Sequence, residues 1–318
     1  MAGAPDISVV IATRDRADSL AETLEYLGRA DRDGLDVEVV VVDNGSADAT
    51  RPTVEAFAGR LPVRYLFEGQ PGKSHALNRA LDEGGLGEVV AFLDDDMSPH
   101  RDWFQGVWAL CARHPDHDFF TGRSYVVWPP GEPPGWARRE SIRDWAFSVI
   151  DFERREDRPI PLWPSGNHFW IRSRVLANGR RFEDLWFTEP QFTLGLAEEG
   201  RLGVMGPDAV AGHRIQPDLF SEKVVRERAI RTGRAIAAVQ LAHRSAAPQA
   251  AFFKDHAGLC RLLWAANVLR WWVQYGLAQL HPSRDTRFER GLLALLGLHT
   301  NLERLRIARR VGKSGSPR

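Results

Sequence analysis

Val89-Val90-Ala91-Phe92-Leu93-Asp94-Asp95-Asp96 decides the fold: five apolar residues run straight into three carboxylates. A short apolar run of this kind reads as a strand buried on both faces. Three similar runs precede it, at residues 7–12, 37–42 and 63–67, and helical spacing fills the gaps between them. Ser19 and Glu22 predict a capping box for a helix carrying Leu20, Leu24 and Leu27. Thr50, Val54 and Phe57 share one stripe, and residues 74–81 predict a third, shorter helix. On the far side of the carboxylates, Ser98-Pro99 predicts an N-cap followed by the first helical residue, with Trp103, Val107 and Leu110 as the apolar face. Strands alternating with helices predict an α/β fold with a mostly parallel sheet. Ligands of such sheets sit beyond the carboxyl ends of the strands, at a switch in strand order.

Further out, the pattern changes twice. Residues 124–169 are interrupted by seven prolines, with Trp128, Trp136, Trp145 and Trp163 among them. A long connection of that composition predicts a binding loop or lid. From about Ser221 the chain reads helical, with amphipathic stretches at 252–280 and 287–310 and a stripe of Leu295, Leu298, Leu302 and Leu305. The division expected is therefore a ligand-binding domain over 1–220 and a helical extension over 221–318. The 318 residues suffice for a large core, and Lys+Arg and Asp+Glu both number 42, so no overall field selects a nucleic acid. Charge is local instead: residues 284–318 hold nine basic and three acidic side chains. Two cysteines, Cys111 and Cys260, exclude a disulfide framework and fit a reducing compartment. The first residues lack a secretory pattern and no long uncharged apolar window occurs, so a cytoplasmic protein is expected.

Three adjacent carboxylates at a strand end repel one another, and burying them is costly without positive charge between them. Mg²⁺ or Mn²⁺, which completes its shell with substrate phosphates, suits such a cluster; a solvated acidic turn is the plainer alternative. Val42-Asp43-Asn44-Gly45-Ser46 again places an acid directly after a strand, where it can accept from ribose hydroxyls or a base, or simply form a turn. Gly72-Lys73-Ser74 has the end of a phosphate-binding loop, but that motif's spacing needs glycine where Phe67 stands. What remains is a lysine beside helix-start amides, suited to anionic oxygen.

Taken together, Ile7-Ser8-Val9-Val10-Ile11-Ala12-Thr13-Arg14-Asp15-Arg16, Val42-Asp43-Asn44-Gly45-Ser46, Gly72-Lys73-Ser74-His75-Ala76-Leu77-Asn78 and Phe92-Leu93-Asp94-Asp95-Asp96 resemble the family 2 glycosyltransferases in order and spacing through about residue 110. The resemblance implies a GT-A fold, a Rossmann-like sheet that binds a nucleoside-diphosphate sugar (UDP-, TDP- or GDP-linked) with a divalent cation, Mn²⁺ or Mg²⁺. It implies that Asp96 is a metal ligand, that Asp94 contacts the ribose or metal-bound water, and that Asp95 belongs with Asp94 to the nucleotide-binding residues. Thr13, Arg14 and Asp15 would cradle the nucleotide, Asp43 would read the base, and Lys73 and Asn78 would lie near base and phosphates.

In the second half the resemblance is looser. Gly166-Asn167-His168-Phe169-Trp170 looks like the segment lining the donor sugar. Apart from the resemblance, aromatic faces stack on sugar C–H groups, which makes Trp128, Trp136, Trp163 and Trp170 candidates for a sugar or acceptor wall, with core packing as the alternative. Thr188-Glu189-Pro190-Gln191 stands where the family carries Gly-Glu-Asp, so the resemblance makes Glu189 the catalytic base, with Asp184 and Glu183 as alternatives; Pro190 departs from the pattern. A segment ending in His213 resembles the one whose histidine completes the metal site. The implied activity is inverting sugar transfer to an acceptor hydroxyl of unknown identity. The rival expectation is a non-catalytic nucleotide-sugar-binding or scaffold relative. Trp264, Trp271 and Trp272 with Arg261 and Arg270 leave open a peripheral contact with the inner membrane face, a homodimer, or plain packing.

Overall fold

A computed structural model describes residues 3–150, 156–160, 166–184, 187–242 and 256–314. Trp163 therefore lies outside the described residues, as does the start of the helix expected from 252. The chain divides into two compact units, one of residues 1–127 and 148–214, the other of 128–147 and 215–318.

The first unit carries a nine-stranded sheet: β1 (Ile7–Thr13), β2 (Val37–Asp43), β3 (Val63–Phe67), β4 (Val89–Leu93), β5 (Met97–Pro99), β6 (His117–Val127), β7 (Arg158–Pro159), β8 (His168–Arg172) and β9 (Leu202–Arg214). Their order is β3-β2-β1-β4-β8-β6-β9-β5, with β7 on β9. From β3 to β4 the strands are parallel; beyond β4 the sheet is mixed, with β8 antiparallel to both its neighbours and β6 parallel to β9. Its helices are α1 (Ala17–Arg29), α2 (Thr50–Ala56), α3 (Lys73–Glu83), α4 (Trp103–Arg113) and α6 (Thr188–Glu198). Alternate residues of the central strands serve opposite faces. Val9, Ile11, Val39 and Val41 pack with Leu20 and Leu24 of α1 and Phe104 of α4. Val10, Val40, Val42 and Phe92 pack with Leu77 of α3 and Phe192 of α6. Burial on both sides is why these strands read as continuous apolar runs.

Two local expectations give way to tertiary partners. α1 begins at Ala17, ahead of the expected capping box, and its first amide is received by Asp48 Oδ2 at 2.8 Å. Ser19 and Glu22 are drawn off elsewhere, Ser19 Oγ donating to the Asp95 carbonyl at 2.9 Å and Glu22 pairing with Arg214 at 3.0 Å. Ser98-Pro99 does not open a helix: both belong to β5, paired with Gly212 and Ala211 of β9, and α4 starts four residues later.

The second unit holds α5 (Glu140–Ala146), α7 (Glu222–Ala242), α8 (Ala257–Gln279) and α9 (Arg284–Ser314). α9 packs on both α7 and α8. Gly233 of α7 permits the approach, since a Cβ there would lie 2.5 Å from the Leu296 carbonyl. The expected stripe of Leu295, Leu298, Leu302 and Leu305 is not the buried face of α9: Leu292, Ala294, Thr300, Asn301 and Ala308 are buried and Leu302 is exposed. Contact on two sides spreads burial around the helix, so no single stripe marks it.

Candidate active site

β1 is flanked by β2 on one side and β4 on the other, so the order reverses there and a crevice opens at the carboxyl ends of β1 and β4. Thr13 ends β1, and Asp94 follows β4. The three carboxylates then diverge. Asp95 turns inward: its oxygens take Thr13 Oγ1 at 2.6 Å and Arg16 at 2.6 Å. Burial pushes its carboxyl up to about 6 against the opposing pull of Arg16 and Thr13. Asp94 stays partly open and accepts from Lys73 Nζ at 2.5 Å; burial raises its pKa despite that lysine. Asp96 pairs through Oδ2 with Arg16 at 2.8 Å. Among the described residues its buried Oδ1 has no hydrogen-bond partner, and His213 Nε2 stands 3.4 Å away. Burial opposes ionisation of Asp96, but His213 and Arg16 outweigh it and hold the carboxyl well below the usual range.

Lys73 is the first residue of α3, set by Gly72, whose φ of +136° is closed to most side chains. Asn44 Oδ1 receives the Gly72 amide at 2.8 Å while its Nδ2 reaches the Gln70 carbonyl at 2.7 Å, fixing the loop before α3. Lys73 Nζ also pairs with Glu189, so one ammonium joins the carboxylates of Asp94 and Glu189. Burial works against the lysine's charge, but the two acids prevail and raise its pKa. Glu189 lies in the first turn of α6, buried against Gly166, where an added Cβ would stand 3.1 Å from its carboxyl carbon. Pro190 is the third residue of that helix, where the missing amide hydrogen costs no intrahelical bond. The departure from Glu-Asp is therefore structurally neutral for the helix.

Asp94, Asp96, His213, Lys73 and Glu189 thus form one cluster, and several other expected residues are engaged in holding it. Asp43 takes the Tyr65 hydroxyl at 2.7 Å and the Ser46 amide at 2.8 Å. Asp15 Oδ1 takes the Ala47 amide at 2.7 Å, tying the loop after β1 to the loop after β2, whereas Arg14 is exposed beside it. Both ends of the Asn78 amide are bonded to the Phe182 backbone, at 2.8 Å each. Asn167 gives its Nδ2 to the Ser148 carbonyl at 2.9 Å and its own carbonyl to the Asp94 amide at 3.1 Å. Trp170 corrects an expectation: it is fully buried and stacks on Phe120 within the core, because β8 is an interior strand, so its ring is not available as an acceptor wall. Asp184 and Glu183 are exposed; Asp184 receives Ser74 Oγ at 3.0 Å.

Two arginines went unread in the sequence. Arg16 bridges Asp95 and Asp96. Arg214 donates to the carbonyls of Met97 and Ser19, to Ser98 Oγ and to Thr23 Oγ1 at 2.6–2.8 Å, stapling α1 and β5 under the carboxylate turn. The available signal was the need for positive charge near three acids, with Arg16 and Arg214 adjacent to motifs already singled out. Among the described residues no group of three or more His, Cys, Asp or Glu side chains converges as a metal site. The fit to a cation rests instead on the Asp96–His213 pair, one atom of which is buried and orphaned, with donor phosphates left to complete a shell.

The model of the family described as glycosyl transferase family 2 matches residues 8–178. Validoxylamine A glucosyltransferase from Streptomyces hygroscopicus subsp. jinggangensis is 38% identical over 246 residues, covering 70% of this chain and 54% of that protein. The glycosyltransferase AglE from Haloferax volcanii is 31% identical over 102 residues, covering 32% of this chain and 34% of that protein. The chain spans about half the length of the validoxylamine relatives it matches. Among solved structures, a Pyrobaculum calidifontis mannosyltransferase in complex with GDP-Man and Mn²⁺ shares the fold with a TM-score of 0.55 at 20% identity, covering 98% of this chain and 76% of that one. Residues 1–349 of S. aureus TarS in complex with UDP-GlcNAc align with a TM-score of 0.52 at 18% identity, covering 96% and 92%.

Proposed function

The chain belongs to glycosyl transferase family 2, and from that premise we propose that its first unit moves a sugar from a nucleoside-diphosphate sugar to an acceptor hydroxyl, with inversion and with a divalent cation. The observation that carries the reading is Lys73, which joins Asp94 and Glu189 at the strand-end crevice beside the Asp96–His213 pair. The neighbours captured with GDP-Man and UDP-GlcNAc support a donor of that chemical class.

In this reading Asp96 and His213 would hold Mn²⁺ or Mg²⁺. When bound, the cation supplies positive charge against the leaving diphosphate. Lys73 provides a second positive charge fixed in the same crevice, and Asp94 keeps it there. Glu189 receives the acceptor's hydroxyl proton as the acceptor oxygen forms its bond to the anomeric carbon. The bond to the diphosphate oxygen breaks with its electron pair leaving on the diphosphate. Attack opposite the leaving group in one displacement inverts the anomeric centre. Asp43, with the loop residues 13–15, would line the nucleotide's side of the crevice, and Gly166 would leave space for Glu189 and the sugar.

The first comparison uses no acceptor. Slow hydrolysis of UDP-, TDP- and GDP-sugars by the full chain is compared with that of Glu189→Gln. The variant is expected to bind donor within about threefold of the parent and to lose on the order of 10²-fold or more in turnover. Unchanged turnover would remove Glu189 from the role of base. Donor binding without turnover in the parent as well, even with acceptors supplied, would favour the non-catalytic relative.

A further inference from the structure

We propose that α8 seats the protein on a membrane surface bearing anionic lipid, lying along the interface without crossing it. The inference is independent of the transfer chemistry above and rests on the second unit alone.

α8 is apolar on two sides, and only one of them is used. Cys260 and Trp264 face inward onto Ala308 of α9, and Trp271 lies against Gly297. The opposite side carries Leu259, Leu262, Leu269, Leu277 and Leu280, with Trp272 at its margin. These are far from covered: Leu262 is 70% exposed, Leu269 65%, Trp272 67% and Leu280 79%. At 3.6 residues per turn the five leucines fall within about 80° of the helix circumference, a continuous stripe over six turns. Apolar surface on this scale marks a partner.

Charge identifies the partner. From residue 256 to 284 there is no Asp or Glu, while Arg261, Arg270 and Arg284 are present. Across 256–318 the chain has eleven basic residues against three acidic ones, in a protein whose Lys+Arg and Asp+Glu are equal overall. Pairing two copies through α8 would bring together two stretches of the same strong positive sign. A bilayer with acidic headgroups instead offers acyl chains to the leucines, an interface to Trp272 and negative charge to the arginines. Among the described residues no helix is long and apolar enough to cross a membrane, consistent with a helix lying in the interface.

The test is co-sedimentation of the full chain with phosphatidylcholine vesicles, with and without about a third of phosphatidylglycerol. The expected result is binding to the anionic vesicles, weak binding to the neutral ones, and a blue shift of tryptophan emission. Leu262→Glu with Leu269→Glu, or the milder Leu262→Ser with Leu269→Ser, should reduce the bound fraction by roughly tenfold. The far-UV circular dichroism and the urea midpoint should be retained by both, which checks that the chain is folded. Wild-type protein remaining in the supernatant overturns the proposal, and equal binding to both vesicle types overturns its electrostatic part. Light scattering that finds a stable dimer dissociated by these substitutions would assign the stripe to a second copy instead.

Discussion

A methyl group on Gly166 would press on the Glu189 carboxylate at 3.1–3.3 Å, close enough to displace it from Lys73. Gly166→Ala is therefore expected to lower turnover by about 10- to 100-fold while changing stability by about 1 kcal/mol or less, measured by donor hydrolysis alongside urea unfolding. His168 is a different kind of residue. It accepts Trp103 Nε1 at 2.8 Å in the interior, and burial pushes its pKa down to about 3. The unfolded imidazole takes a proton near its ordinary 6.5, whereas the native one stays neutral until about 3. The unfolded state thus binds more protons in that window, and stability falls as pH drops from 6.5 toward 3. His168→Gln, which keeps an acceptor for Trp103, should flatten that limb in melting temperature against pH; an unchanged slope would remove His168 as its source. At this scale the sequence disclosed that Asp94, Asp95 and Asp96 need positive charge, but not the allocation. Consecutive side chains in a turn point in different directions, and their partners arrive from residues 13–16, 73 and 213. Lys73 and Arg16 supply positive charge as side chains, and the buried Asp96 Oδ1, 3.4 Å from His213 and without a hydrogen-bond partner among the described residues, is the atom a cation would take.

The elements that fix those directions are the loops, and Asp48 shows how. Its Oδ2 receives the first amide of α1 and its Oδ1 the Thr50 amide and hydroxyl, so one carboxylate caps two helices. Asp48→Ala should cost about 1–2 kcal/mol in urea unfolding, and the loss should exceed that of Ser19→Ala, the residue local patterning selects as cap. The remote bond from Ala17 to Asp48 accounts for the start of α1 lying ahead of the expected capping box: a capping box is a local rule, and here the cap crosses 31 residues. The same holds for Ser98-Pro99, whose helix-start chemistry is overridden by pairing with β9. Strands β1, β2 and β4 were legible almost residue for residue because burial on both faces leaves a nearly continuous apolar run, whereas β3, at the sheet edge and mostly half-buried, was marked by β-branched and aromatic residues around Arg64. α9 was legible as a helix, but not as to which face it buries, because neighbours on two sides leave no single stripe. Arg214 belongs to this scale as well. Arg214→Lys cannot reproduce its set of planar donors to α1 and β5, and is expected to weaken cation-assisted nucleotide binding more than it lowers turnover at saturation. Equal affinity in the variant would show the staple to be dispensable.

Across the whole molecule the division of labour follows composition. The first unit collects the acids, the lysine and the histidine of the crevice around a β-branched sheet, and the second collects helices rich in arginine, leucine and tryptophan. Segment 128–147, which reads as part of a Pro- and Trp-rich connection, groups with the helices: Trp136 packs on Phe288 and Trp128 on Phe220. Its tryptophans serve packing there, a use that composition alone does not separate from ligand stacking. The proposed function places a nucleotide-sugar site in the first unit, where Asp96 and His213 would hold the cation. It is tested most directly by following the melting temperature of the full chain and of Asp96→Ala with UDP, TDP and GDP, each with and without Mn²⁺. One nucleotide at about 100 times its dissociation constant should stabilise the native state by roughly 2.7 kcal/mol only when Mn²⁺ is present, and Asp96→Ala should remain folded and lose that shift. A shift that is the same with and without the cation, or that survives in Asp96→Ala, would contradict the assignment.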